Sequence, residues 1–272
     1  MKKTIITSGR FDNICSKQVR FLHEISKLGP VELLLFSDEF LASFGRSKPK
    51  FPLPERQYYL RAIRYVSRVH IITDTVQLQN IPNLVGGNAD LWCVLSSEEI
   101  PPCRWHAESG GIKYRQIPDE QLAGFPENEI SPELSSGKKV IVTGCFDWLH
   151  SGHIRFLEEA SGYGDLYVAI GNDENIKKLK GPAHPMFSQE ERRYMIAAIR
   201  FVKETLISSG HGWLDAEPEI LSIKPDIYIV NEDGDKDVKR QYCKAHRIEY
   251  VVLKRLPRAG LPRRISTNLR GF

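Results

Sequence analysis

No apolar run in this sequence is long enough to cross a bilayer, and the opening Met1-Lys-Lys-Thr-Ile-Ile-Thr-Ser-Gly-Arg10 is too short in apolar residues for a signal peptide. A cytoplasmic protein without a membrane span is the expectation. Cysteine is sparse: five residues, Cys15, Cys93, Cys103, Cys145 and Cys243, with no C-x-x-C spacing. That argues against a disulfide framework and against a zinc site, and leaves reduced thiols. Strong charge of either sign is missing too. A net charge of +4 suits an anionic small molecule but is too mild to indicate nucleic acid, and no aromatic-basic repeat or reading helix adds to it. What remains is an ordinary globular balance, 41% hydrophobic and 26% charged over 272 residues, long enough for one large domain or two.

The chain repeats itself. Ser8-Gly-Arg-Phe-Asp-Asn-Ile-Cys-Ser-Lys-Gln18 echoes Thr143-Gly-Cys-Phe-Asp-Trp-Leu-His-Ser-Gly-His153, Glu55-Arg-Gln-Tyr-Tyr59 echoes Glu191-Arg-Arg-Tyr-Met195, and Asp90-Leu-Trp-Cys-Val94 echoes Asp226-Ile-Tyr-Ile-Val230. These matches share one register, apart from a single-residue length difference, so the chain is a tandem duplication. The expected organisation is a first domain over 1–118, a Pro-, Glu-, Ser- and Gly-rich linker over 119–137 and a second domain over 138–272.

Within the second copy, short β-rich runs (Val140-Ile-Val142, Leu166-Tyr-Val-Ala-Ile170, Thr205-Leu-Ile207, Ile227-Tyr-Ile-Val230, Tyr250-Val-Val-Leu253) alternate with helical patterns. Ser188-Gln-Glu-Glu191 has capping-box spacing, and Met195, Ile199 and Val202 then fall on one helix face. This alternation predicts an α/β fold of two tandem Rossmann-like parallel-sheet domains, the first degenerate. Ligands of such sheets bind at the carboxyl ends of strands, where the segment from Thr143 to His153 falls. A glycine-bearing turn into a helix collects free N–H groups and the positive end of the macrodipole, so the segment suits phosphate.

The pattern G-x-F-D-x-x-H-x-G-H, from Gly144 to His153, resembles the signature of the cytidylyltransferase-like nucleotidyltransferases. Lys180-Gly-Pro with Phe187-Ser-Gln-Glu-Glu-Arg192, and Ile265-Ser-Thr-Asn-Leu269, are similar to further stretches of that superfamily, and the tandem architecture is similar to that of ethanolamine-phosphate cytidylyltransferases. The resemblance implies nucleotidyl transfer from CTP to a small phosphorylated alcohol, such as phosphoethanolamine, glycerol phosphate or a sugar or polyol phosphate. Adenylyl transfer from ATP to a sugar phosphate or FMN is the alternative within that chemistry, and a non-catalytic nucleotide-binding regulator the alternative outside it. The resemblance implies that His150 and His153 hydrogen-bond phosphate oxygens in the transition state, that Lys180 bridges the two substrates' phosphates, and that Arg192 holds the β- and γ-phosphates. Thr143, Gly144, Cys145, Phe146, Gly152, Ser266 and Thr267 would line the nucleotide site, with Asn231 a further candidate. Magnesium would arrive with the triphosphate, with no separate metal cage.

Several assignments stay open on sequence alone. Lys177 and Lys178 compete with Lys180, and the phosphate-binding arginine could be Arg255, Arg258, Arg263 or Arg264. Tyr194, Trp213 and Tyr228 read as core aromatics. The first copy has Cys15, Lys17 and Gln18 where the second has His150, Gly152 and His153, so it is expected to be non-catalytic. Its expected role is one half of an internal pseudo-dimer, with a homodimer as a further option.

Overall fold

The computed structural model describes residues 3–127 and 137–269. The chain divides into two compact units, the first ending at Gly124 and the second starting at Phe125. The first unit holds strands β1 (Ile5–Gly9), β2 (Val31–Phe36), β3 (Arg68–Ile72), β4 (Leu91–Leu95) and β5 (Lys113–Ile117), in the order β3-β2-β1-β4-β5. The second holds β6 (Lys139–Gly144), β7 (Asp165–Ile170), β8 (Val202–Ile207), β9 (Ile227–Asn231) and β10 (Glu249–Leu253), in the order β8-β7-β6-β9-β10. All paired strands are parallel, and the two sheets have the same topology. The expected pair of tandem Rossmann-like parallel-sheet domains is what the chain forms.

Helices on both faces explain why the central strands are continuous apolar runs rather than alternating ones. Every residue of β1 and β2 is buried, and in the second unit Val140, Ile141 and Val142 of β6 are fully so. Chain direction across the sheet reverses between β1 and β4, and again between β6 and β9. That reversal opens a crevice at the carboxyl end of the first strand of each unit.

Two local expectations need correction. Ser188 does cap the helix Gln189–Ala197, accepting from the Glu191 N–H at 3.3 Å, but that helix stops before Ile199, and Val202 opens β8. The apolar spacing runs on because helix, turn and strand face the same core. Residues 119–124, read from composition as the start of a linker, pack on the first unit instead: Lys17 pairs with Asp119 at 2.5 Å, and Arg20 donates to the carbonyls of Ala123 and Gly124. Most of the remaining linker, 128–136, lies outside the described residues. Among the described residues no helix is long and apolar enough to cross a membrane.

Candidate functional site

At the end of β6 the chain turns sharply through Phe146, whose φ of 51° is left-handed, and Phe11 does the same at the end of β1 with φ 43°. A β-carbon on Gly144 would sit 2.8 Å from the Phe146 ring, and one on Gly9 3.0 Å from the Phe11 ring, so the folded-back phenylalanine requires the glycine. The next residue clamps a distant loop: Asp147 accepts from the N–H groups of Met186 (2.7 Å) and Phe187 (3.1 Å), as Asp12 accepts from those of Lys50 (3.0 Å) and Phe51 (2.9 Å). The G-x-F-D half of the motif is therefore structural. It survives in both copies because both build the same turn.

Arg192 belongs to this scaffold as well, which corrects its assignment to the β- and γ-phosphates. It is 1% exposed, and its guanidinium donates to the carbonyls of Phe187 (3.1 Å), Cys145 (2.6 Å) and Gly171 (2.8 Å) and to Asp173 (2.6 Å). Arg56 makes the matching bonds to Phe51, Arg10, Phe36 and Asp38 in the first unit. A guanidinium has five N–H donors in a fixed fork, and four directions here are spent holding the turn from behind.

The H-x-G-H half is different. His150 caps the helix Ser151–Ser161, its Nδ1 accepting from the Gly152 N–H at 3.0 Å. Its ring stacks on that of His153, the centroids 4.0 Å apart. His150 is 2% exposed, and among the described residues its buried Nε2 has no hydrogen-bond partner. Burial pushes the His150 imidazole down to about 3, with the charges of Arg255 and Arg264 acting the same way. Burial also holds His153 well below its ordinary value, helped by His150, Arg255 and Lys180. Both rings are thus neutral in the free protein. A neutral imidazole whose Nδ1 accepts carries its proton on Nε2, so His150 presents an N–H donor that no described residue uses. Gly152 has a different reason from the one expected: a β-carbon there would meet the His150 ring at 2.9 Å, so the glycine makes room for the imidazole rather than only for a ligand. Lys17 is tolerated at the matching place because Cys15, not a histidine, precedes it.

A cleft of about 640 Å³ opens over this turn. Thr143, Gly144, Cys145, Phe146, Gly152, His153, Lys180, Asn231 and Ser266 line it; His150 lies just beneath, and Arg192 is not on its wall. Of the three competing lysines, Lys180 reaches the cleft, while Lys178 pairs with Glu174 on the surface at 2.6 Å. Of the four arginines, Arg255 lines it, paired with Asp233 at 2.6 Å, and Arg258 pairs with Glu158. Ser266 sits on the short 3-10 turn Ser266–Leu269; the side chain of Thr267 lies outside those described. Tyr194 and Tyr228 are core residues, but Trp213 is 52% exposed and lines the cleft, against expectation. It sits on the 3-10 turn Gly212–Leu214, too short to carry a buried face.

The two units differ most at the anion nest. In the first, the N–H groups of Arg10 and Phe11 both donate to Oε2 of Glu98, at 2.8 and 3.2 Å. In the second, the equivalent N–H groups of Cys145 and Phe146 make no hydrogen bond to any described residue, and Gly234 stands where Glu98 does. The first unit fills its nest with its own carboxylate; the second leaves the same nest open to the cleft. Aligning the copies would have revealed the Glu98/Gly234 exchange, but not that the side chain reaches back to β1.

Residues 141–267 match the family described as cytidylyltransferase-like. The match lies within the second unit. Its curated relatives include the bifunctional protein HldE of Sulfurimonas denitrificans, 40% identical over 125 residues, covering 44% of this chain and 25% of that protein. HldE of Geobacter sulfurreducens is 44% identical over 153 residues, covering 54% of this chain and 29% of that protein. The chain therefore spans between a quarter and a third of the length of these two relatives. Among solved structures, the lipopolysaccharide core biosynthesis protein from Thermoplasma volcanium matches at 25% identity and a TM-score of 0.38, over 43% of this chain and 95% of that one. In the unit that carries the match, the open nest, His153 and Lys180 share one cleft.

Proposed function

We propose that the second unit transfers a nucleotidyl group from CTP to a small phosphomonoester, a phosphorylated alcohol or a sugar or polyol phosphate, with release of pyrophosphate. One observation supports this above all. The N–H groups of Cys145 and Phe146, without a partner among the described residues, stand at a cleft lined by Lys180 and Arg255, and the unpartnered Nε2 of His150 lies beneath it. Positive charge at the cleft favours an anion there.

In such a transfer a phosphomonoester oxygen attacks the α-phosphorus in line, and charge builds on the oxygens in flight. Positioned donors carry most of the rate. The Cys145 and Phe146 amides would hold an oxygen of the nucleotide phosphate as the Arg10 and Phe11 amides hold Glu98. His150 and His153 would donate to the phosphate oxygens that gain charge, and Lys180 would lie between the two substrates' phosphates. Magnesium, carried by the triphosphate, would offset part of its charge. Of the cleft carboxylates, Asp147 is committed to loop amides, Asp233 to Arg255 and Asp215 to the Ser208 hydroxyl, so the metal's ligands would come chiefly from phosphate oxygens and water. With its nest filled, the first unit is read as non-catalytic.

The family description favours CTP, while nothing in the imidazoles selects a base, so the test uses both donors. Pyrophosphate release is measured with CTP or ATP against a panel of phosphomonoesters, for the natural chain and His153→Ala. Turnover with at least one pair, falling about a hundredfold or more in the variant, is expected. If no pair gives turnover above His153→Ala, the proposal fails.

A further inference from the structure

The helix Asp237–His246 carries Lys239 beneath the floor of the cleft, where it is 6% exposed. Its ammonium donates to Oγ1 of Thr143 at 3.2 Å and lies 5.5 Å from the centre of the Tyr228 ring. It makes no ion pair among the described residues. Asp215, the carboxylate acting on it most strongly, accepts from the Ser208 hydroxyl at 2.7 Å, and Asp235 is engaged by Tyr250 and Arg240. An ammonium buried without a carboxylate opposes folding. The fold does not need it: Cys103 holds the matching place in the first unit, its Sγ 3.5 Å from the Ser8 hydroxyl, and Trp92 donates to that hydroxyl at 3.0 Å as Tyr228 meets Thr143 at 2.7 Å.

Proton counting shows what the charge does there. A hydroxyl has two lone pairs and one proton. Lys239 can only donate, so it takes one lone pair of Thr143. The buried Tyr228 hydroxyl has Thr143 as its one acceptor among the described residues, so it donates to the other. The Thr143 proton is then left to point into the cleft, which Thr143 lines.

We propose that Lys239 is a positioning residue: by donating to Thr143 it turns the threonine hydroxyl into a donor for a phosphate oxygen of the bound nucleotide, and sets a positive charge behind it. This rests on the reading of the cleft as a nucleotide site. The test measures binding of CTP and of ATP to the full chain by calorimetry, with the melting temperature recorded for each protein. The variants are Lys239→Met, Lys239→Cys, Thr143→Val and Lys239→Met with Thr143→Val. Lys239→Cys installs the residue that a folded unit of this chain already carries in that place. Lys239→Met and Lys239→Cys are expected to weaken the bound nucleotide about tenfold or more without lowering the melting temperature. The double variant is expected to bind no more weakly than the poorer single one, because both substitutions remove one device. Affinity within about twofold of the natural chain, with or without a lower melting temperature, overturns the proposal, and so do penalties that multiply in the double variant. If the natural chain binds neither nucleotide, the nucleotide reading falls and this one with it; if it binds and the lysine variants bind equally, only the role of Lys239 falls.

Discussion

Acid should unfold the second unit through its buried histidines, and the size of the effect follows from His150. In the folded chain its imidazole is lowered from 6.5 to about 3 by burial and two arginines, while in the unfolded chain it titrates near its ordinary value. The unfolded state therefore binds the proton first as pH falls. The stability contributed by the neutral ring is complete above the unfolded value and drains away as pH drops from there toward the folded value. Integrated between about pH 7 and about pH 5, the loss comes to about 2 kcal/mol for this one group. Asn is the variant of choice, since it caps a helix as well as any residue yet does not titrate. Denaturant unfolding of the natural chain and of His150→Asn would be compared at both pH values, with hydrogen exchange in β6 reporting the second unit. The natural chain should lose about 2 kcal/mol more than the variant over that interval. Equal losses would show that the ring is not held neutral, and would remove the argument that its Nε2 waits as a donor.

Three substitutions away from the imidazoles probe the scaffold. Arg192→Lys, which cannot reach four acceptors at once, should destabilise the ligand-free second unit by about 3 kcal/mol or more, read by thermal unfolding, and Arg56→Lys should do the same to the first. Unchanged ligand-free stability with lost nucleotide affinity would return Arg192 to the phosphates. Glu98→Ala strands the N–H groups of Arg10 and Phe11 and should cost the first unit about 2 to 4 kcal/mol, again by thermal unfolding. A neutral result would mean that the carboxylate does not hold the turn.

The likeness of this chain to itself was legible from residue order alone. The echo of Ser8 to Gln18 in Thr143 to His153, and the alternation of apolar runs with helical periods, led to two parallel-sheet domains with a phosphate-favouring turn, because strand, turn and helix preferences are set within a few residues. Erosion of the first copy was equally plain in Cys15, Lys17 and Gln18. Roles that depend on what a side chain meets far along the chain were not. Arg192 looked like a phosphate ligand until the tertiary structure spent its donors on carbonyls as distant as Cys145, and Trp213 looked like core until its short turn left it on the cleft. Likewise the choice of Lys180 over its neighbours, the closure of the first nest by Glu98 and the burial of Lys239 against Thr143 arise only when separate segments are brought together. Sequence by itself determined the two folds and the place of the site, through short-range geometry. Which groups stay free to act there was decided by the tertiary structure, because desolvation and hydrogen-bond satisfaction are properties of the packed chain.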